Sequence, residues 1–329
     1  MQFIASLPRV ATQDLQRLST NTQVQLVPLR GRSILKINGS DALRFLQGQC
    51  TCDFTQLDKR LHLRGAHCNI KGRMHSNFVA APLAEGVETI GLRLHQSITE
   101  HALRQLQKYA LFSKVNLSLD MEHVCAGMLI PEEQTPTIDD WPSVGEYRVI
   151  NDGKDALVVL RHQDTLYELW ATPLRLERWT SSVFGEPVLA PEELWDYVHI
   201  RSGLAELRSP LEEALLPQEI NFQLIKGIAF NKGCYTGQEV IARLHYRGQL
   251  KKHLYYVELE SGALPEIGHE LLNEHEKPVA LIVNIVEARK NCAVALLLVN
   301  DQYAGNTTNL NFVNEQIKVR WLPLPYAIP

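Results

Sequence analysis

The chain has 329 residues, of which 45% are apolar and 21% charged, with a formal net charge of −4. These values describe a globular protein of two or three domains with room for proper cores, and they exclude wholesale affinity for nucleic acid. No run of about 18 uninterrupted apolar residues occurs, so no membrane span is expected.

Residues 1–9 lack a basic n-region and a long apolar h-region, so no secretory signal is expected. The setting that follows is cytoplasmic, with six cysteines held as free thiols. Residues 24–37 alternate apolar and polar, predicting two strands around Arg30-Gly31-Arg32. Asn38-Gly39-Ser40-Asp41 then opens a short helix closed near Gly48. Cys50, Cys52 and Cys68, with His62 or His67, match no standard zinc or iron–sulfur spacing and suit half-buried strand packing, so no metal site is assigned.

Residues 61–81 read as a hairpin turning at 69–73. Ser97 and Glu100 have capping-box spacing at the head of a helix that carries Ile98, Ala102, Leu106 and Ala110 on one face. Residues 131–146, rich in proline and acid, read as a linker or surface loop. Strands follow near 157–160 and 167–171. Pro191-Glu192-Glu193-Leu194-Trp195 begins a helix, with proline early and acids at the positive end. From residue 254 onward the pattern is all β, with turns at Gly262, Gly268, Asn300-Asp301 and Gly305-Asn306, which suits a small antiparallel barrel.

The most informative stretch is Lys232-Gly233-Cys234-Tyr235-Thr236-Gly237-Gln238-Glu239. Thr236 and Glu239 have the spacing of a capping box, and Val240, Ile241 and Leu244 supply the apolar face of a short helix. Gly233 and Gly237 permit backbone angles or close approaches closed to other residues. A thiol just ahead of a helix start, with Lys232 two residues away, is favoured as thiolate. Two readings of Cys234 stay open on spacing alone, a reactive or ligand-contacting thiol and a cysteine buried in a tight turn. Beyond Glu239 no acid occurs until Glu258, while Arg243, Arg247 and Lys251 fall in between with His245, Lys252 and His253. As a strand this window presents a basic stripe for a folate tail or an RNA phosphate backbone, or else an ordinary solvated face.

The octapeptide, with Ala229-Phe230 before it and Ala242-Arg243 after it, closely resembles the signature of the YgfZ family, folate-binding proteins related to the glycine-cleavage T-protein. Weaker similarity runs from Leu29 through Gln47-Gly48-Gln49 to the tail 322–326. The resemblance implies an α+β, T-protein-like folate-binding fold: two ferredoxin-like sheet-and-helix lobes within residues 1–250 and a C-terminal antiparallel barrel at 251–329, set around a central channel. It implies tetrahydrofolate or a folate derivative as cofactor, with Trp195 stacking the pterin. Tyr235 and Gln238 would shape the site, and Cys234 with Lys232 would do the chemistry.

Departures from the superfamily pattern are visible. The position in Ile200-Arg201-Ser202-Gly203 that is often glutamate is Arg201, and the aromatic expected in the early hairpin is Arg32. Neither arginine accepts a hydrogen bond from a pterin, although each can pair with a glutamyl carboxylate. The adjacent aspartates of the T-protein fall at Ser76 and Asn77, which argues against aminomethyl transfer. The function implied is that of an accessory protein for synthesis or repair of iron–sulfur enzymes. Through clients such as a tRNA thiomethyl-modifying enzyme it would affect some tRNAs, with a link to replication-initiator regulation. Two alternatives are a folate-dependent one-carbon transferase and an RNA-binding accessory protein that contacts tRNA through 243–253. No DNA or membrane partner is expected.

Overall fold

The computed structural model describes residues 14–153, 155–305, 309–312 and 315–329. The expectations placed on residues 1–9 and on Asn306 therefore lie outside the described residues. A one-turn helix α1 (Leu15–Leu18) precedes β1 (Gln25–Pro28). The chain then leaves that sheet at the turn 29–31 and builds a second one. This comprises β2 (Arg32–Asn38), helix α2 (Ala42–Gln49), β3 (Leu63–Cys68), β4 (Met74–Pro82), β5 (Thr89–His95), helix α3 (Gln96–Gln107) and β6 (Asn116–Leu119). The order across this five-stranded sheet is β3-β4-β5-β2-β6.

The chain returns to the first sheet through β7 (Val124–Leu129), β8 (Tyr147–Asn151), β9 (Ala156–Arg161), β10 (Leu166–Ala171), helix α4 (Pro173–Phe184) and β11 (Val188–Leu189). Six strands run in the order β11-β1-β7-β10-β9-β8, and only the β1–β11 pair is parallel. The two strands read around Arg30-Gly31-Arg32 thus exist but do not pair with each other. Each belongs to its own sheet, so the turn is the passage between lobes.

Helix α5 (Glu192–Arg201) leads into a long irregular segment and then helix α6 (Gln238–Arg247). The remaining strands, β12 (Lys252–Glu260), β13 (Glu270–Leu272), β14 (Pro278–Arg289), β15 (Cys292–Asn300), β16 (Asn309–Phe312) and β17 (Glu315–Leu322), close into an antiparallel barrel. Full closure leaves the barrel no free edge. Its inward residues, among them Val257, Leu259, Ile282, Leu297 and Ile317, form a core of their own. No helix among the described residues is long and apolar enough to cross a membrane.

Local signals were partly displaced by tertiary ones. Helix α3 is capped by His95, whose Nδ1 accepts from the Ser97 N–H, rather than by a Ser97–Glu100 box. Helix α5 starts as its acids suggest, but Glu192 reaches beyond its own helix to accept from the Arg30 and Gly31 N–H groups at 3.1 and 2.9 Å. The helix end is thereby tied to the crossover between sheets.

Trp195, on α5, is fully buried and lies flat against Gly127 of β7, where any Cβ would overlap the indole ring. Gly127→Ala is expected to destabilise the fold by about 2 kcal/mol or more through overpacking, and Trp195→Ala by about 3–5 kcal/mol through the cavity left behind. Urea unfolding of both variants checks this; midpoints within error of wild type would contradict the packing.

Candidate functional site

The octapeptide folds as an exposed turn pinned at both ends. The Lys232 ammonium donates to three backbone carbonyls, of Gln47 and Cys50 at 2.8 Å each and Cys52 at 2.7 Å. The Gln47 and Cys50 carbonyls stand at the C-terminal end of α2, where a cation is favoured by the helix dipole and satisfies leftover acceptors, and Cys52 lies just beyond it. Nearby Thr51 hydroxyl donates to the Gly227 carbonyl at 2.6 Å, and Thr236 hydroxyl donates to Gln49 Oε1 at 3.2 Å. Sequence stretches 47–52 and 227–236 are thus laced together. Lys232 Nζ also lies 5.1 Å from the centre of the buried Tyr235 ring. Burial lowers the lysine's pKa and pushes the Tyr235 phenol up.

This arrangement corrects the expected role of Lys232. All three of its N–H donors are committed to carbonyls, so it anchors the turn instead of serving as counter-ion to the thiol. The helix start is also displaced. Gly237 is the N-cap of α6, with φ +84°, and no side chain caps that helix. The Thr236–Glu239 box is therefore not formed; Gln238 Oε1 instead accepts from the Tyr235 N–H at 3.2 Å, and Glu239 is exposed. Cys234 sits three residues before the cap, beyond the first-turn reach of the helix dipole.

The two glycines differ. A Cβ at Gly237 would stand 2.5 Å from the Asn69 carbonyl oxygen in the β3–β4 turn, whereas at Gly233 nothing lies within 4 Å. Cys234 is exposed, while Cys50, Cys52, Cys68, Cys125 and Cys292 are buried. Burial raises the thiol pKa of Cys50, Cys68 and Cys125, and pushes Cys52 up to about 12. These four are core cysteines.

The other expected site residues are dispersed. Arg32 is buried, its guanidinium paired with Glu192 at 2.6 Å, with Asp196, and with Glu206 at 2.7 Å. Both of its terminal nitrogens are thereby engaged by this chain's own acids, and its Nε is buried without a partner, so its charge is already paired. Trp195 contacts His199, ring centres 4.4 Å apart, and His162 at 6.0 Å. Its faces are covered by protein, so it has no open face for a pterin. Arg201 is exposed and lines a different cleft, of about 570 Å³, with Tyr197, Tyr256 and Arg320. Neither that cleft nor the voids bordering His199 are lined by residue 195 or residue 234. The basic stripe is helical, not a strand: Arg243 and Arg247 are exposed one turn apart on α6, Lys251 is exposed beyond it, and His253 is buried against Asp301.

Sequence reading missed the ion-pair network where both sheets, α5 and the barrel meet. Glu206 accepts from Arg93 at 2.5 Å, Arg32 at 2.7 Å and Arg208 at 3.1 Å. Arg93 also grips Glu168 with two donors, at 2.8 and 3.0 Å. Glu168 further accepts from Trp170 Nε1 at 2.7 Å and meets His162 Nε2 at 2.8 Å. Asn284 of the barrel exchanges two hydrogen bonds with the Glu206 backbone. Burial alone would raise Asp196, yet Arg32 and Arg208 outweigh it and hold the acid at about 2. The available signal was the presence of Arg93 and Glu168 inside otherwise apolar strands.

A folate is the ligand the sequence resemblance implies, and the space around Glu206 is small for it. The two voids among these residues, bordered by Arg64, Asn77, His199 and Glu206, measure about 20 and 10 Å³. Each is the size of a single water, far below the several hundred Å³ of a typical ligand pocket. His199 Nε2, bordering both voids, is buried without a partner, as is Trp195 Nε1 nearby. In this closed arrangement the residues present do not fit a pterin.

Comparison with known proteins accords with the architecture. No family model matches the chain. The glycine cleavage system aminomethyltransferase T from Bartonella henselae superposes with a TM-score of 0.70 over 94% of this chain and 88% of that one, at 12% identity. The fold is therefore that of the T-protein, an α+β body with a closed six-stranded barrel. Within that class, the tRNA-modifying protein YgfZ of Enterobacter sp. (strain 638) is 29% identical over 94% of this chain and 95% of its own length. Its counterpart in Escherichia coli O45:K1 (strain S88 / ExPEC) is 28% identical over 100% of this chain and 99% of its own. The chain is thus similar over nearly its whole length to proteins named YgfZ.

One pH effect follows from the network. His162 is fully buried among Glu168, His62, Arg64 and His199, and burial lowers its pKa to about 4 despite Glu168. A base with a depressed native pKa binds its proton more readily when unfolded. Its contribution is complete above about pH 6.5 and is lost as pH falls toward 4. Unfolding free energy is expected to drop by roughly 2–3 kcal/mol across that window, less in His162→Asn. A flat profile would contradict the assignment.

Proposed function

We propose that this chain is a YgfZ-type accessory protein in tRNA modification, acting through Cys234 on iron–sulfur client enzymes such as a tRNA thiomethyl-modifying enzyme. The observation that carries this reading is the sorting of the thiols. Of six cysteines only Cys234 is exposed, and it stands at the tip of the octapeptide whose flanks are held by Lys232 and Thr236. A rigidly presented, accessible sulfur suits contact with a protein or cluster better than turnover of an enclosed substrate. The full-length relatives named for tRNA modification support the same direction.

The one-carbon transferase alternative is disfavoured by chemistry. Ser76 and Asn77 supply no carboxylate, and both ends of the Asn77 amide are occupied, donating to the Ala205 carbonyl and accepting from the Leu207 N–H at 2.8 Å each. Direct tRNA contact through Arg243, Arg247 and Lys251 remains part of the proposal because α6, which follows the Cys234 turn, presents Arg243, Tyr246 and Arg247 to solvent. Folate is kept in this proposal on the sequence resemblance alone, since the voids around Glu206 are too small to hold it as they stand.

Cys234→Ala is expected to abolish complementation of a deletion strain with a melting temperature within about 1 °C of wild type, since an exposed side chain contributes little to stability. Full activity of that variant would remove the thiol from the mechanism.

A further inference from the structure

Helix α3 and the β3–β4 hairpin bring together three side chains that none of the readings above uses. His75 lies on β4, His101 on α3, and Glu213 in the irregular segment between α5 and α6. His75 Nδ1 is 3.2 Å from His101 Nε2 and 3.1 Å from Glu213 Oε1, and His101 Nε2 is 3.8 Å from the same oxygen. Donor atoms around a tetrahedral zinc with bonds of about 2.0–2.1 Å stand about 3.3–3.4 Å apart. The observed triangle brackets that spacing. From these contacts we propose that His75, His101 and Glu213 form a binding site for a divalent first-row cation of the zinc class.

A second feature points to a ligand at the same place. His67, on β3 beside β4, is fully buried, and neither of its ring nitrogens has a hydrogen-bond partner. Its ring centre is 5.0 Å from that of His75. Buried imidazole nitrogens are nearly always partnered, and an orphaned pair behind a ligand-like cluster is what an absent ion or its bound water leaves unsatisfied. The supporting groups are also in place. Asn69 Nδ2 donates to Glu213 Oε2 at 3.1 Å, turning the other carboxylate oxygen toward the histidines, and the Glu213 N–H donates to the Met74 carbonyl at 2.8 Å. Carboxylate ligands are commonly oriented by such outer partners.

Burial is graded across the site, with His75 buried, His101 partly buried and Glu213 exposed. Three protein donors with one face toward solvent describe an open site that keeps a coordination position for water or an external ligand. Two imidazoles and one carboxylate favour zinc, cobalt or iron over calcium or magnesium. The same Asn69 that orients Glu213 presents its carbonyl against Gly237, so occupancy is structurally continuous with the Cys234 turn.

The test uses the full chain stripped with chelator, in a Cys234→Ala background so that the exposed thiol cannot bind metal. Isothermal titration with zinc chloride is expected to show one equivalent bound at micromolar or tighter Kd. Cobalt(II) is expected to give the visible bands of a four-coordinate N/O site. Glu213→Gln and His101→Gln, both at solvent-accessible positions, should weaken binding at least tenfold while circular dichroism stays unchanged, and zinc should raise the Tm of the parent but not of His101→Gln. Failure of the parent to bind zinc below about 100 μM would overturn the site, as would binding unaffected by either substitution.

Discussion

The Glu206 carboxylate is the point on which the architecture turns. It accepts from arginines of β2, β5 and its own segment, and its backbone is clasped by Asn284 of the barrel. Two sheets and a barrel, each with its own apolar core, are thereby held at one polar junction. Buried ion pairs of this kind add little net stability compared with an apolar core, but removing one partner costs about 3–5 kcal/mol because a charge is stranded. Their contribution is to placement: hydrocarbon surfaces slide past one another, whereas a carboxylate with three guanidinium partners has one register.

Closing the centre has a consequence for chemistry. A T-protein-like body whose voids around His199 and Glu206 are only water-sized presents its accessible thiol elsewhere, on the surface. The octapeptide does so by being fastened to the end of α2 through Lys232, with Gly233 and Cys234 left proud of the surface. The lysine thus positions the turn that carries the thiol, and Gly237 fits that turn against the β3–β4 hairpin where no side chain has room.

Much of the architecture was legible in the sequence. Alternation and turn residues gave β1 to β4, β9, β10 and the barrel character of the C-terminal region, because those signals are local, whereas β5 to β8 were not read from the sequence. The octapeptide identified the kinship that full-length comparison bears out. What could not be read was which distant residues share a site. Arg32 looked like a ligand residue because the positive charge is visible in sequence, while its neutralisation by Glu192, Asp196 and Glu206, more than 150 positions away, is not. Trp195 looked like a stacking platform because an indole reads the same whether its face is open or pressed on Gly127. The Thr236–Glu239 box failed because Gly237 in the left-handed region starts the helix one residue later than the spacing implied. His75, His101 and Glu213 follow no metal-binding spacing at all, since a hairpin, a helix and a loop each contribute one donor.

One accessible sulfur among five buried ones is most directly examined by thiol labelling of the native protein with a maleimide, read by intact mass and peptide mapping. One adduct is expected, on Cys234, with Cys125 unlabelled because it lies inside, close to Arg93, Arg32 and Glu168. Rapid native-state labelling of Cys125, or an unreactive Cys234, would contradict the closed centre and the presented thiol.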